Sequence, residues 1–432
     1  MILLKRLLPM AALACAAVLA GLYWMGTRED AFPPPASAAA GAQADAGTLL
    51  ERGRYLARIG NCAACHTAPG GRPYAGGTSI PTPFGTFYGP NITPDPATGI
   101  GAWNADDFWR AVHDGKAPGG RLLYPAFPYT EYTHLSRADS DALFAFLKSV
   151  PPVRQASRPH DLEFPYDQRA LMAFWRALYF RPGGQPDRAD AGRPAQWLRG
   201  RYLVQGLGHC AACHAPRNAL GATRDPERLA GGMIPGLGWY APPLGGDAVA
   251  GLGRWSEQDI ALLLKTGLSP HSTASGPMAE VVLGSSQHLS DADAMAVAVY
   301  LKSLPATPPA LDANAGTPSA ALMEQGGKLY TQHCVQCHQA DGRGSGQAWP
   351  PLAGNPTVTA PSPANLVRVV LEGGFAPATE ANPRPHGMPP FGLVLSDNDV
   401  AALASYVRNS WGNAAGLVRP LEVKRSRDAG GD

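Results

Sequence analysis

At 432 residues the chain is too long for one small core, and two to four domains of about 100–200 residues are expected. A hydrophobic share of 45% against 16% charged predicts that most of it folds, and a net charge of +2 is too near neutral for nucleic-acid binding to be the default. Fifty glycines and 43 prolines argue for loop-rich domains and against long helical bundles.

The chain opens MILLKRLLPMAALACAAVLAGLYWMGTRED, with Lys5 and Arg6 before an uncharged run from Leu7 to Gly26 and Arg28 after it. A run of about 20 apolar residues crosses a bilayer as a helix. The positive flank would stay in the cytoplasm and send the remainder outside. Residues 1–30 are read as a membrane anchor or a signal peptide. Ala36-Ser37-Ala38 offers a processing site, whereas the charges between it and the run favour an uncleaved anchor. Cys15 reads as filler, because Ala12-Leu13-Ala14 makes a poor lipid-attachment signal. Residues 31–47, AFPPPASAAAGAQADAG, are expected to be a flexible tether.

The remaining six cysteines fall into three copies of one pattern, CxxCH: Cys62, Cys65 and His66; Cys210, Cys213 and His214; Cys334, Cys337 and His338. The surroundings repeat too. Ahead of each pair stands a short amphipathic helix, RGRYL (52–56), RGRYL (199–203) and GGKLY (326–330). Further on come WNADDFWRAVHDG (103–115), WSEQDIALLLKTG (255–267) and PSPANLVRVVLEGG (361–374). Asn104, Ser256 and Ser362 are N-cap types there, Pro363 suits the first turn, and Gly115, Gly267 and Gly373 suit the stop. Each copy closes with an apolar-periodic helix opened by Ser-x-x-Asp, at 135–151, 289–305 and 395–411. The expected order is domain one at 48–152, a linker with one helix (within 167–180) at 153–190, domain two at 191–305, a linker at 306–318, domain three at 319–413 and an unstructured tail at 414–432.

A disulfide explains paired cysteines but not the histidine after each pair. Zinc asks for four ligands where each unit offers three. A redox dithiol belongs in a strand-rich fold, which these helical units are not. CxxCH is the attachment pattern of c-type haem, with thioethers from both cysteines and the histidine as proximal iron ligand, so three covalently bound haem c groups are expected. Methionine is the usual sixth ligand. Met278 stands 64 residues after His214, and Met388 stands 50 after His338, each in a Gly/Pro-containing loop before the last capped helix. In the first unit Phe127, 61 residues after His66, takes the methionine's place. His134 is a candidate distal ligand there; the alternatives are five-coordinate iron or a donor such as Met172. His113 and His134 also read as surface residues, and Glu131 as a solvated carboxylate. YGPNI (88–92), YAPPL (240–244) and WPPL (349–352) repeat an aromatic, a proline and a branched residue.

RGRYLARIGNCAACHTAPGGRPYAGG, PTPFGTFYGPNITPD, LYPAFPYT, GPMAEVV with YLKSLP, and HGMPPFG with LSDNDVAALASYVRNSWGN together resemble the three-haem cytochrome c subunits of bacterial membrane-bound dehydrogenases, over nearly the whole chain after the anchor. The resemblance implies an all-α fold of three tandem class I cytochrome c-like domains. It implies that Pro90, Pro242 and Pro350 offer carbonyls to the proximal imidazoles, and that His66, His214, His338, Met278 and Met388 bind iron. It also implies a function: taking electrons from a partner subunit carrying molybdopterin, PQQ or flavin and passing them to ubiquinone or another acceptor, at the inner membrane with the haem domains in the periplasm. Phe127, where relatives carry methionine, is more similar to the branch that accompanies molybdenum hydroxylases. Two other functions compete: a haem enzyme or ligand sensor built on a five-coordinate first haem, and a cytochrome subunit of a terminal oxidase.

Overall fold

The computed structural model describes residues 2–28, 46–183, 190–306, 316–346 and 348–429. Most of the expected tether (31–45) and of the second linker (307–315) lies outside the described residues. Contacts divide the chain into two compact units, 1–187 and 188–432, so the second and third sequence repeats share a unit.

In the first unit α1 (Ile2–Thr27) is one helix, and its stretch Met10–Thr27 is long and apolar enough to cross a membrane. Then follow α2 (Ala46–Ile59), α3 (Cys62–His66), the hairpin β1 (Ser79–Thr82) and β2 (Gly85–Tyr88), and α4 (Ala105–Asp114). A two-residue pair, β3 (Lys116–Ala117) and β4 (Arg121–Leu122), leads to α5 (Tyr129–Tyr132) and α6 (Arg137–Ser149). The chain does not then leave as a linker. Strand β5 (Asp161–Leu162) pairs with β2, Leu162 opposite Gly85, and the buried Asn91 amide donates to the carbonyls of Val153 and Gln155. Asn91 supplies partners that the returning backbone needs once it is buried.

The expected helix is α7 (Leu171–Tyr179), and it packs on the end of α1. A Cβ on Gly26 would fall 1.8 Å from the Ala173 carbonyl oxygen. Tyr23 and Phe174 lie 6.0 Å apart ring to ring, and Arg176 Nε donates to the Gly26 carbonyl at 3.1 Å. Lys116 Nζ reaches the Arg28 carbonyl at 2.5 Å.

In the second unit α8 (Ala195–Tyr202) runs on through a π turn (Leu203–Leu207) to α9 (Ala211–His214). The hairpin β6 (Gly232–Ile234) and β7 (Trp239–Ala241) precedes α10 (Glu257–Thr266), α11 (Pro277–Gly284) and α12 (Asp291–Lys302). The third repeat comprises α13 (Ala320–His333), α14 (Val335–His338), α15 (Pro356–Thr359), α16 (Ala364–Glu372), the short pair β8 (Gly374–Phe375) and β9 (Gly387–Met388), and α17 (Asp397–Arg408). Side chains of this repeat bond to the backbone of the second: Thr359 Oγ1 to Val249 O at 2.8 Å and Thr379 Oγ1 to Thr266 O at 3.1 Å.

One helix crossing occurs three times. The glycine of each RG or QG pair faces an alanine of the last helix, and an added Cβ would meet the carbonyl oxygen of Ala142 from Gly53 at 2.0 Å, of Ala296 from Gly200 at 1.9 Å and of Ala402 from Gly326 at 2.3 Å. The residue before each glycine reaches the aspartate three positions before that alanine. Arg52 pairs with Asp139 at 2.5 Å, Arg199 forks onto Asp293 at 2.7 and 2.8 Å, and Gln325 donates to Asp399 at 3.2 Å. Ser136, Ser290 and Ser396 cap the closing helices by accepting from the backbone N–H of these aspartates.

Asn104 and Ser256 cap α4 and α10 in full capping boxes, and Gly115 and Gly267 end these helices in the left-handed conformation. At α16 the cap falls one residue later than Ser362, on Pro363, which has no N–H to orient and no side-chain acceptor. The tail also departs from expectation. Residues 420–429 form α18 (Pro420–Ala429), and Val418 and Val423 are buried in the third repeat's core with Val400 and Leu403. Its charged composition hides an apolar edge that is enough to hold it.

Candidate haem sites

Each CxxCH motif forms a single helical turn after a break in the preceding helix. Asn61 (φ 52°) and His209 (φ 37°) make that break in the left-handed region, which Asn tolerates better than most residues. The histidines are then held twice. Nδ1 of His66, His214 and His338 bonds to the carbonyl of Pro90 at 2.7 Å, Pro242 at 2.7 Å and Pro350 at 3.1 Å. The histidines' own carbonyls accept from the N–H of Gly76 at 2.7 Å, Gly231 at 2.8 Å and Gly344 at 3.1 Å. These glycines have φ of 82°, 78° and 67°. A Cβ on them would fall 2.6, 3.0 and 2.8 Å from the carbonyl carbon of the same three prolines. Glycine is needed because the backbone passes between the histidine and its proline. Gly89 is equally constrained, its Cβ position lying 1.7 Å from Cys65 O.

Burial lowers the pKa of all three imidazoles, opposed by the bond to the proline carbonyl. The neutral tautomer follows: Nδ1 carries the proton to the carbonyl and Nε2 keeps its lone pair for a metal. Burial also pushes the Cys62 and Cys210 thiols up to about 12 and Cys334 up to about 11. Such thiols resist the thiolate form that zinc binding and thiol exchange use. Among the described residues no three His, Cys, Asp or Glu side chains converge as a metal cage, and no disulfide joins the cysteines. Two cysteines beside one oriented imidazole fit a porphyrin held at its edge and ligated from one face.

Met278 is the second residue of α11, half-buried, after Gly276 (φ 53°), on whose Cα the Trp239 ring lies. Met388 pairs with Gly374 across β8 and β9 and packs against the third repeat's core. Phe127 sits in a turn closed by its N–H to the Tyr124 carbonyl at 3.1 Å, with its ring 5.4 Å from that of Tyr132. The Tyr132 hydroxyl donates to Gly60 O at 3.4 Å, and burial beside Cys62 and Cys65 raises its pKa well above the usual value. Phe127 is thus one aromatic ring away from the first cysteine pair.

His134 is exposed, with its imidazole against Gly183. Two readings change. His113 is buried, its Nδ1 2.6 Å from Asp114 and its ring stacked 4.4 Å from Trp109. Glu131 is only 5% exposed and accepts from Thr130 Oγ1 at 2.5 Å, so it is not a solvated carboxylate. Sequence reasoning missed Gly76, Gly231 and Gly344, which follow their histidines by 10, 17 and 6 residues and so share no spacing.

The cytochrome c family model matches residues 50–151, 199–305 and 323–411. The chain belongs to the cytochrome c family. It is 42% identical to the cytochrome c subunit of the quinone alcohol dehydrogenase of Gluconobacter oxydans, over 88% of this chain and 83% of that one. It is 41% identical to the gluconate 2-dehydrogenase cytochrome c subunit of Pantoea cypripedii, over 85% and 86%. It is 38% identical to the fructose dehydrogenase cytochrome subunit of Gluconobacter japonicus, over 88% and 83%.

Proposed function

We propose that the chain is the electron-transfer subunit of a dehydrogenase complex, taking electrons from a cofactor-bearing catalytic subunit and delivering them to ubiquinone or another respiratory acceptor. The observation that carries this is the threefold arrangement of a CxxCH histidine held through Nδ1 by a proline carbonyl. Haem supplies the one-electron iron couple when bound. Cys62 and Cys65, Cys210 and Cys213, and Cys334 and Cys337 would hold it by thioethers, and His66, His214 and His338 would ligate iron through Nε2. Met278 and Met388 would complete the second and third sites, in three tandem class I cytochrome c-like domains. The proline and glycine contacts fix the imidazole planes beforehand, so little reorganisation accompanies a change of charge. Stretch Met10–Thr27 would anchor the chain in a bacterial inner membrane, with the haem domains in the periplasm. The catalytic partner would carry molybdopterin, PQQ or flavin; the relatives' names support a dehydrogenase of some kind.

The test is purification of the tagged chain from membranes of its native host. The expected result is three haems per chain, copurification with a larger dehydrogenase subunit, and haem reduction by that subunit's substrate. A chain that carries no haem, or that no dehydrogenase accompanies or reduces, overturns the proposal.

A second reading concerns the first site alone, and Phe127 with the buried Glu131 favours it. An apolar ring in the methionine's place leaves one face of the first site without a thioether. The Glu131 carboxylate, one residue before Tyr132, is shielded from water, as a proton-holding group would be.

A further inference from the structure

Strand β7 touches both axial segments of the second site. Pro242, immediately after it, gives its carbonyl to His214 Nδ1 at 2.7 Å. Trp239, its first residue, lays its indole on Gly276, where a Cβ would sit 2.7 Å from the ring; Pro277 and Met278 follow. A shift of β7 therefore moves the proximal hydrogen bond and the seat of the distal methionine together.

The third repeat holds this strand. On its inner side β7 pairs with β6, Tyr240 opposite Met233. On its outer side a single amide takes the place of a neighbouring strand. Tyr240 N–H donates to Asn365 Oδ1 at 2.8 Å, and Asn365 Nδ2 donates to the Tyr240 carbonyl at 2.7 Å. Asn365 is buried near the start of α16. Asn is a poor helix former and a costly residue to bury, so a site that keeps both its polar groups on another repeat's backbone is specific. Three residues on, the Arg368 guanidinium lies 5.3 Å from the Trp239 ring centre and donates to Leu237 O at 3.2 Å, while Glu372 pairs with it at 3.0 Å.

We infer that Asn365 and Arg368 are positioning residues through which the third repeat sets the axial geometry of the second haem site. The inference rests on the haem reading above. It makes the second site's potential and the seating of Met278 properties of the pair of repeats.

The test uses the full haem-loaded chain and the variants Asn365→Ala, Asn365→Asp and Arg368→Gln. Hydrogen–deuterium exchange is followed over 229–244 and 274–284, with a potentiometric titration of all haems. Loss of the amide pair should speed exchange in both segments on the order of tenfold, the scale of one lost buried hydrogen bond. One haem potential should shift, while exchange over 334–344 stays at the wild-type rate. Arg368→Gln, which leaves the amide pair intact, should loosen 229–244, where the guanidinium bonds to Leu237 O and covers Trp239, and to a smaller extent 274–284 through the Trp239 ring on Gly276. If exchange rises in β7 alone and all potentials hold, Asn365 braces a strand and the inference fails; it also fails if Arg368→Gln moves neither segment. A wild-type count below three haems overturns the haem reading, and the exchange data still decide whether the segments are coupled.

Discussion

Gly53 and Ala142 meet where α2 crosses α6, so closely that a methyl group on the glycine would fall 2.0 Å from the alanine carbonyl oxygen. The second and third repeats reproduce the contact. Neither partner can retreat, because an Arg–Asp or Gln–Asp contact lies one turn away. Gly53→Ala, Gly200→Ala and Gly326→Ala should each destabilise by about 2 kcal/mol or more, as overpacked cores do, despite alanine's better helix propensity. Gly316→Ala, with nothing within 4 Å, should be close to neutral in the same denaturant titration.

Phe127 predicts a first site unlike the other two. Wild-type protein should bind cyanide in the ferric state and CO in the ferrous state at one haem. Phe127→Met should remove that binding and raise the first site's potential, since a thioether ligand favours ferrous iron. Three inert low-spin haems in the wild type would sink the idea. The mirror experiments, Met278→Ala and Met388→Ala, should each open one further site to CO.

The crossing pairs differ in the bonds they make. Removing Arg199 takes two charge-assisted bonds, at 2.7 and 2.8 Å, from Asp293, a mostly buried carboxylate. Arg199→Met should cost roughly 1.5–3 kcal/mol, as for hydrogen bonds to charged groups. Gln325→Met should cost less, because the neutral Gln325 amide gives Asp399 a single bond at 3.2 Å. Equal losses in chemical denaturation would contradict this.

The Ser396 hydroxyl bond, at 2.6 Å, holds the Asp399 carboxyl below its ordinary pKa. A depressed carboxylate adds stability that is complete above the unfolded value of about 4 and fades as pH falls through the lower folded value. Asp399→Asn should therefore lower stability at pH 7 and flatten its acid dependence below about pH 4, read as the unfolding midpoint against pH. An unchanged slope would refute the linkage.

Much of this was legible because it is local. The CxxCH turns, the capped helices and the prolines repeat at recognisable places in the sequence. What was not legible is set by tertiary approach. Gly53, Gly200 and Gly326 stand inside readable helices, but nothing in a helix says which glycine faces an alanine. Gly76, Gly231 and Gly344 do one job at three different distances from the histidine, because the intervening loops differ in length. His113 and Glu131 read as surface residues by type and are buried by packing, and Val418 and Val423 fold down a tail whose composition is mostly polar.

The grip of α7 on the end of α1 has a mechanical consequence. Gly26 against Ala173, Arg176 on the Gly26 carbonyl and Lys116 on that of Arg28 hold the base of the apolar helix directly on the first unit. The contour length of the stretch between residues 28 and 46 then does not set how far that unit can stray from the bilayer that α1 would cross. Lengthening that stretch should leave the reach unchanged, whereas breaking the Gly26–Ala173 contact should set the whole first unit on a leash.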